Sequence, residues 1–212
     1  MTLAHAIGRQ LEHPRGIGGW LTGHAMRVVN ARPTALTIDA LAVQAGGIVL
    51  DMGCGTGDAL EALARKAGSG VVYALDQSDA MLAVARKRHA RRIRAGSIVL
   101  NYGDFAALPF ADASFDRVLA SNVIYFWQNP YAVLVEILRV LKPAGRLSIY
   151  ATDGTDMAKW SFVKHGTHIL YTAAALDGLM ATAPDSANFR QQRVSVGLGV
   201  HGLIATLDWS AA

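Results

Sequence analysis

"VLDMGCGTGDAL", residues 49–60, is an apolar run that stops at an acid, crosses three glycines in five positions and then takes on helical spacing. Gly53, Gly55 and Gly57 fall directly after a strand pattern and before a helix pattern. In that setting bare backbone lets a ligand approach with no side chain in the way. The dinucleotide fingerprint is G-x-G-x-x-G, whereas this loop is G-x-G-x-G, one residue tighter. Asp51 stands two positions before Gly53, at the carboxyl end of the strand. A diphosphate there would meet an uncompensated negative charge, and a ligand carrying an ammonium would be favoured. No Gly-Lys-Ser/Thr follows, so the loop is not a nucleotide phosphate loop.

Outward from that loop, strand and helix patterns alternate. "GIVLDMG" is a short apolar strand, and "GDALEALARKAG" is a helix closed by glycine. "VVYALD" is the second strand; "QSDAMLAVARKRHARRI" is the next helix, capped by Ser78 or Asp79. "SIVLNYGD" and the first half of "FDRVLASNVIYF" follow as strands, with the loop "LPFADAS" between them. "PYAVLVEILRVLKPAGRLSIYA" adds a helix opened by Pro130, a Lys-Pro-Ala-Gly stop and a fifth strand. This alternation predicts a doubly wound α/β fold with a parallel sheet covered on both faces. In the tail, "ILYTAAALDGLMATA" reads as a helix. "FRQQRVSVGLGVHGLIATLDW" holds two strand runs around "GLGVHG" with no room for a helix between them, which predicts an antiparallel hairpin.

The chain of 212 residues is expected to form one domain over 1–212, with residues 1–32 as a helical or irregular cover and 33–212 as the core. Although 52% of residues are hydrophobic, no uninterrupted apolar run approaches a membrane span, and "MTLAHAIGRQLEHPRG" lacks the pattern of a secretory signal. The expected location is cytoplasmic. The single cysteine, Cys54, excludes an internal disulfide and a thiol metal framework. Net charge is +4, but "ARKRHARRIRAG", residues 85–96, carries six cations, and the rest of the chain sums to about −2. Such a patch suits a solvated helix end; a peripheral membrane contact through it is the competing use.

Asp76 closes the second strand, placed to accept hydrogen bonds from both hydroxyls of an adenosine ribose. Asp104 and Phe105 close the third, where Asp104 can accept from an exocyclic adenine amine and Phe105 can offer its amide or its ring. An ammonium at the first strand, ribose at the second and adenine at the third together describe S-adenosylmethionine (SAM). The chain resembles the class I SAM-dependent methyltransferases of the ubiquinone-biosynthesis type. "VLDMGCGTGDAL", "YALDQSDAML", "GDFAALPFADASFDRVLASNVIYFW" and "EILRVLKPAGRLSIY" match successive family blocks in order. The resemblance implies a Rossmann-like seven-stranded sheet of order 3-2-1-4-5-7-6. It adds Cys54, Gln77 and Met81 to the cofactor residues, and Asn122 at the methionine end. Two departures stand out: "TAPDSANF" replaces an Ala-Gly-Phe turn, and "KPAG" replaces Lys-Pro-Gly-Gly, a change that costs little if Ala144 has negative φ.

A sulfonium methyl is already activated, so the protein needs to align a nucleophile and exclude water, with a base required only if a proton must leave. Tyr125, His24 and His168 are the catalytic candidates. His165 and His168 with Asp153 or Asp156 make a weak metal pattern, and no metal is expected. Nucleic acid is not an expected partner, because base-amine methylation uses a proline-containing turn where this chain has "SNVIYF". The basic helix is also expected to lie away from the active mouth. The preferred reading is methyl transfer to O, N or C of a small organic metabolite. The alternatives are a membrane-surface lipid or quinone methyltransferase and a non-catalytic SAM-binding partner protein. Oligomeric state stays open.

Overall fold

The computed structural model describes residues 30–160, 169–184, 187–197 and 199–210. Helix α1 runs through 30–41. It is followed by β1 (Ile48–Met52), α2 (Leu60–Ala67), β2 (Val71–Asp76), α3 (Asp79–Arg88), α4 (Ala90–Arg94) and β3 (Ile98–Tyr102). The second half holds β4 (Phe115–Ser121), a 3₁₀ turn (Ile124–Phe126), α5 (Pro130–Val140), β5 (Leu141–Thr152), α6 (Gly154–Met157), α7 (Ala173–Met180), β6 (Ala187–Gly197) and β7 (Val200–Trp209). The seven strands lie in the order β3-β2-β1-β4-β5-β7-β6. β1 to β5 are parallel, and β7 runs antiparallel to both β5 and β6. Sheet order and terminal hairpin are those expected from the sequence.

The central strands are apolar on both faces because helices cover both. In β1 every residue after Ile48 is buried, Asp51 among them. One apolar cluster joins β4 and β5 to α5 and α7 on one side. On the other, Ile38 and Leu41 of α1 pack with Leu60, Leu63 and Leu82 of α2 and α3. Helix α2 buries Leu60, Leu63, Ala64 and Ala67, the i, i+3, i+4, i+7 stripe. Backbone carbonyls of α1 and its end bind the sheet: Thr37 O accepts from Ser148 Oγ (3.2 Å), Ala40 O from Arg146 (3.1 Å) and Ala42 O from Arg117 (3.2 Å). The expected division between residues 32 and 33 therefore falls inside a helix; residues 1–29 lie outside the described residues.

Two local expectations change and one narrows to one of its alternatives. The helix expected over 77–93 is broken at His89, whose φ of −106° and ψ of 19° end α3 and start α4. Ser78, not Asp79, is its cap, with Oγ accepting from Met81 N at 3.4 Å. Ala144 has φ +62°, so the Lys-Pro-Ala-Gly turn carries left-handed strain where glycine would carry little. Among the described residues no helix is long and apolar enough to cross a membrane.

Candidate active site

Strand order reverses between β1 and β4, and the chain leaves a crevice there beyond the carboxyl ends of the strands. A cleft of about 1010 Å³ occupies it, walled by the glycine loop, the start of α3, the segment after β4 and one face of α1. That volume is at the upper end for ligand pockets. Asp51, Gly53, Cys54, Gly55, Asp76, Gln77, Met81, Phe105 and Asn122, all expected at a cofactor site, line it.

The three glycines serve three different ends. A Cβ on Gly53 would lie 2.3 Å from Val123 Cγ2, so this glycine makes room for the segment after β4. A Cβ on Gly57 would lie 2.8 Å from His89 Nε2. Only at Gly55, with φ +53°, is there nothing within 4 Å, so this is where bare backbone opens to a ligand. The loop is tied to β2 at its base, with Gly53 N and Cys54 N donating to Leu75 O at 2.8 and 3.1 Å.

Asp76 does more than face the cleft. Its Oδ2 accepts from Gly55 N (2.8 Å) and its Oδ1 from Ser78 N (2.9 Å), so one carboxylate joins the glycine loop to the cap of α3. Each oxygen retains a lone pair for a ligand hydroxyl. Burial nevertheless pushes its pKa up, against those backbone donors. Asp51 is only 3% exposed, and its Oδ2 has no hydrogen-bond partner among the described residues. Burial first, and then the charges of Asp76 and Asp58, push this carboxyl up to about 7. Ser121 Oγ, on the same cleft wall, is likewise buried and unpartnered; sequence reasoning passed over it, since a serine at a strand end carries no pattern. The buried Cys54 thiol is pushed well above its ordinary range by burial and by the two acids, so it is a neutral small side chain.

Other candidates stand elsewhere. Asp104 is exposed and outside the cleft lining; its Oδ1 accepts from Gln77 Nε2 (3.1 Å) and Ala106 N (3.0 Å). Its neighbour Phe105 provides the wall instead. Tyr125 is buried behind the cleft, not on it, because its hydroxyl is used internally. It accepts from Thr152 N and donates to Asn122 Oδ1 at 3.4 Å, and burial keeps the phenol protonated. It props Asn122, which has φ +58° and donates its own N–H to Tyr150 O (3.0 Å). Phe126, one residue on, lines the cleft and is 48% exposed. His24, His165 and His168 lie outside the described residues. No group of three or more metal-ligating side chains occurs among the described residues. Asp153 and Asp156 are bound instead to Arg193, Lys159 and His201.

The basic run was expected to lie away from the mouth, yet Arg88 lines the cleft, where it pairs with Asp58. Arg92 makes a two-point contact with Glu61 (3.3 and 2.8 Å). Between them His89, 5% exposed, places Nε2 2.9 Å from Gly57 O. Helical spacing could have found this residue, since His89, the residue that ends α3, continues the i, i+3, i+7 spacing of its buried Leu82 and Ala85.

Comparison with known proteins agrees with this geometry. A family described as a methyltransferase domain matches residues 50–149. Those 100 central residues are thus similar to a methyltransferase domain. It is 42% identical over 114 residues to a demethylmenaquinone methyltransferase of Lactobacillus johnsonii, covering 53% of this chain and 47% of that protein. The chain spans about half the length of such curated relatives. Among solved structures, one from the complex between the Haloferax volcanii Trm112 methyltransferase activator and a putative methyltransferase superposes with a TM-score of 0.77. It is 21% identical and covers 89% of this chain and 93% of that one. A SAM-dependent methyltransferase of Aquifex aeolicus gives 0.67 at 22% identity, over 82% and 88% of the two chains. At these identities the structural matches establish the fold.

Proposed function

We propose that this methyltransferase domain binds SAM in the cleft between β1 and β4 and transfers its methyl to O, N or C of a small organic metabolite in the cytoplasm. The observation that carries the reading is Asp51. A buried carboxylate with an unpartnered oxygen, in the same cleft wall as a glycine whose missing side chain opens to the cleft, fits a ligand that brings its own cation. A pyrophosphate would do the opposite, adding negative charge to Asp51, Asp76 and Asp58.

When bound, SAM supplies a methyl group activated by its sulfonium, and methyl transfer leaves S-adenosylhomocysteine (SAH). The chain's own residues bind, orient and exclude water. Asp51 holds the ammonium, Asp76 the ribose hydroxyls, and Phe105 and Met81 the adenine faces. Asn122, held by neutral Tyr125 and by Tyr150 O, orients the methionine end. Phe126 and Val123 give the acceptor side an apolar wall. For acceptors whose nucleophile must lose a proton, His24 and His168 remain the proposed bases. Relatives named demethylmenaquinone methyltransferase and ubiquinone/menaquinone biosynthesis C-methyltransferase support carbon as one of the acceptor atoms.

Calorimetric titration with SAH and with NADH, on wild type and Asp76→Ala, tests the reading. SAH is expected to bind near micromolar, about −8 kcal/mol, and to lose most of that in the variant; NADH is expected not to bind. Binding of NADH in place of SAH would refute it.

A further inference from the structure

Within residues 85–96 Arg86, Lys87, Arg88, Arg91 and Arg94 are exposed, whereas His89 is turned inward at the break between α3 and α4. We propose that His89 is a positioning residue for the cofactor site: its ring holds the Gly57 carbonyl, and with it the turn from the glycine loop into α2, in the shape the ligand meets. This rests on the reading of the cleft as a SAM site.

Helix α3 is tied to the glycine loop at both ends. At its start Asp76 bonds Gly55 N and Ser78 N; at its end the His89 ring reaches Gly57 O, two residues further along the same loop. Among the described residues the Gly57 carbonyl otherwise receives only a long 3.3 Å contact from Leu60 N. The ring also fills the space that a Cβ on Gly57 would need, with Nε2 at 2.8 Å and Cδ2 at 2.9 Å from that position. A side chain at 57 is thus opposed by the imidazole, by Leu60 Cδ1 at 2.9 Å and by the left-handed φ of +81°. Arg88 contacts Thr56 O (3.5 Å) and Asp58, and Arg92 contacts Glu61, so the junction grips residues 56–61 as a unit. The arginine contacts are exposed and weak alone. The histidine contact is buried, and removing its donor strands a carbonyl away from water.

The test is calorimetric titration with SAH on wild type, H89Q and H89N, with Tm measured for each. Glutamine carries an amide donor to about the reach of imidazole Nε2, and asparagine falls one bond short. H89N is expected to bind SAH about tenfold more weakly, and H89Q within about threefold of wild type, at similar Tm. H89N binding as tightly as wild type overturns the proposal alone. A wild type that binds no SAH removes the cofactor reading and this proposal with it. Should H89N fail to fold, imidazole nitrogen resonances of the wild type decide: a His89 Nε2–H signal that shifts on SAH addition is expected, and a ring indifferent to SAH overturns the proposal.

Discussion

Two pairs of acids stand at the carboxyl edge of the same sheet. At the tips of β1 and β2, Asp51 and Asp76 have no cationic side chain bonded to them among the described residues, and both carboxyls are pushed upward, chiefly by burial. Beyond the tip of β5, Asp153 and Asp156 are also buried but fully served. Arg193 Nε lies 2.7 Å from Asp153 Oδ2, and Asp156 accepts from Lys159 Nζ (2.6 Å), His201 N (3.0 Å) and His201 Nδ1 (2.9 Å). Those partners hold both carboxyls below the usual range. A buried acid with its cation in place braces the fold by fixing the segment after β5 to the hairpin. A buried acid without one fits the proposed role of meeting a ligand's cation.

The contrast can be broken by exchanging charge for shape at each end. Asp51→Asn is expected to weaken SAH binding by about a hundredfold, since it removes a charge from a buried contact, while Tm stays level or rises. A fall in Tm with affinity intact would assign Asp51 to the structural class. Asp156→Asn should do the reverse, lowering Tm by several degrees with SAH affinity within about twofold, because the lost contacts are all internal.

Acidity sharpens the same point. Because the Asp51 carboxyl is near 7 when folded, against 3.8 ordinarily, the unliganded fold binds the extra proton between those values. Its contribution to stability is present at low pH and is lost as pH rises through about 7. An ammonium ligand favours the ionised form, so SAH affinity is expected to rise from pH 6 to 8 with release of a proton. Titration in buffers of different ionisation enthalpy reads this directly, and Asp51→Asn should flatten it. The smallest effect lies away from both pairs. Ala144→Gly relieves the positive φ and is expected to stabilise by about 1 kcal/mol in denaturant unfolding without altering SAH affinity.

The lining of the cleft was readable from sequence because its signals are local: Asp51 to Gly57 spans a single turn, and Asp76 falls at the end of the next apolar run. What escaped is what depends on chain segments far apart. Val123 fills the space beside Gly53, His89 part of the space beside Gly57, and Thr152 N donates to the hydroxyl of Tyr125; none of these partners is adjacent in the chain. Asp104 and Tyr125 showed the right residue type at the right strand end, but their polar atoms face Gln77, Ala106 and the backbone of β5. Spacing along a chain does not report side-chain direction once the strand has ended.

The break at His89 also sets a length. Each residue inserted in an α-helix rotates the downstream residues by about 100°. One extra residue between Ser78 and His89 would therefore swing the imidazole out toward solvent and leave the Gly57 carbonyl bare. An insertion between Ala95 and Ser97, past the end of α4, would be absorbed by the turn into β3. A stretch that looks like an interchangeable run of surface arginines is thus a measured spacer up to its one histidine, and tolerant of change in length only beyond the last turn of α4.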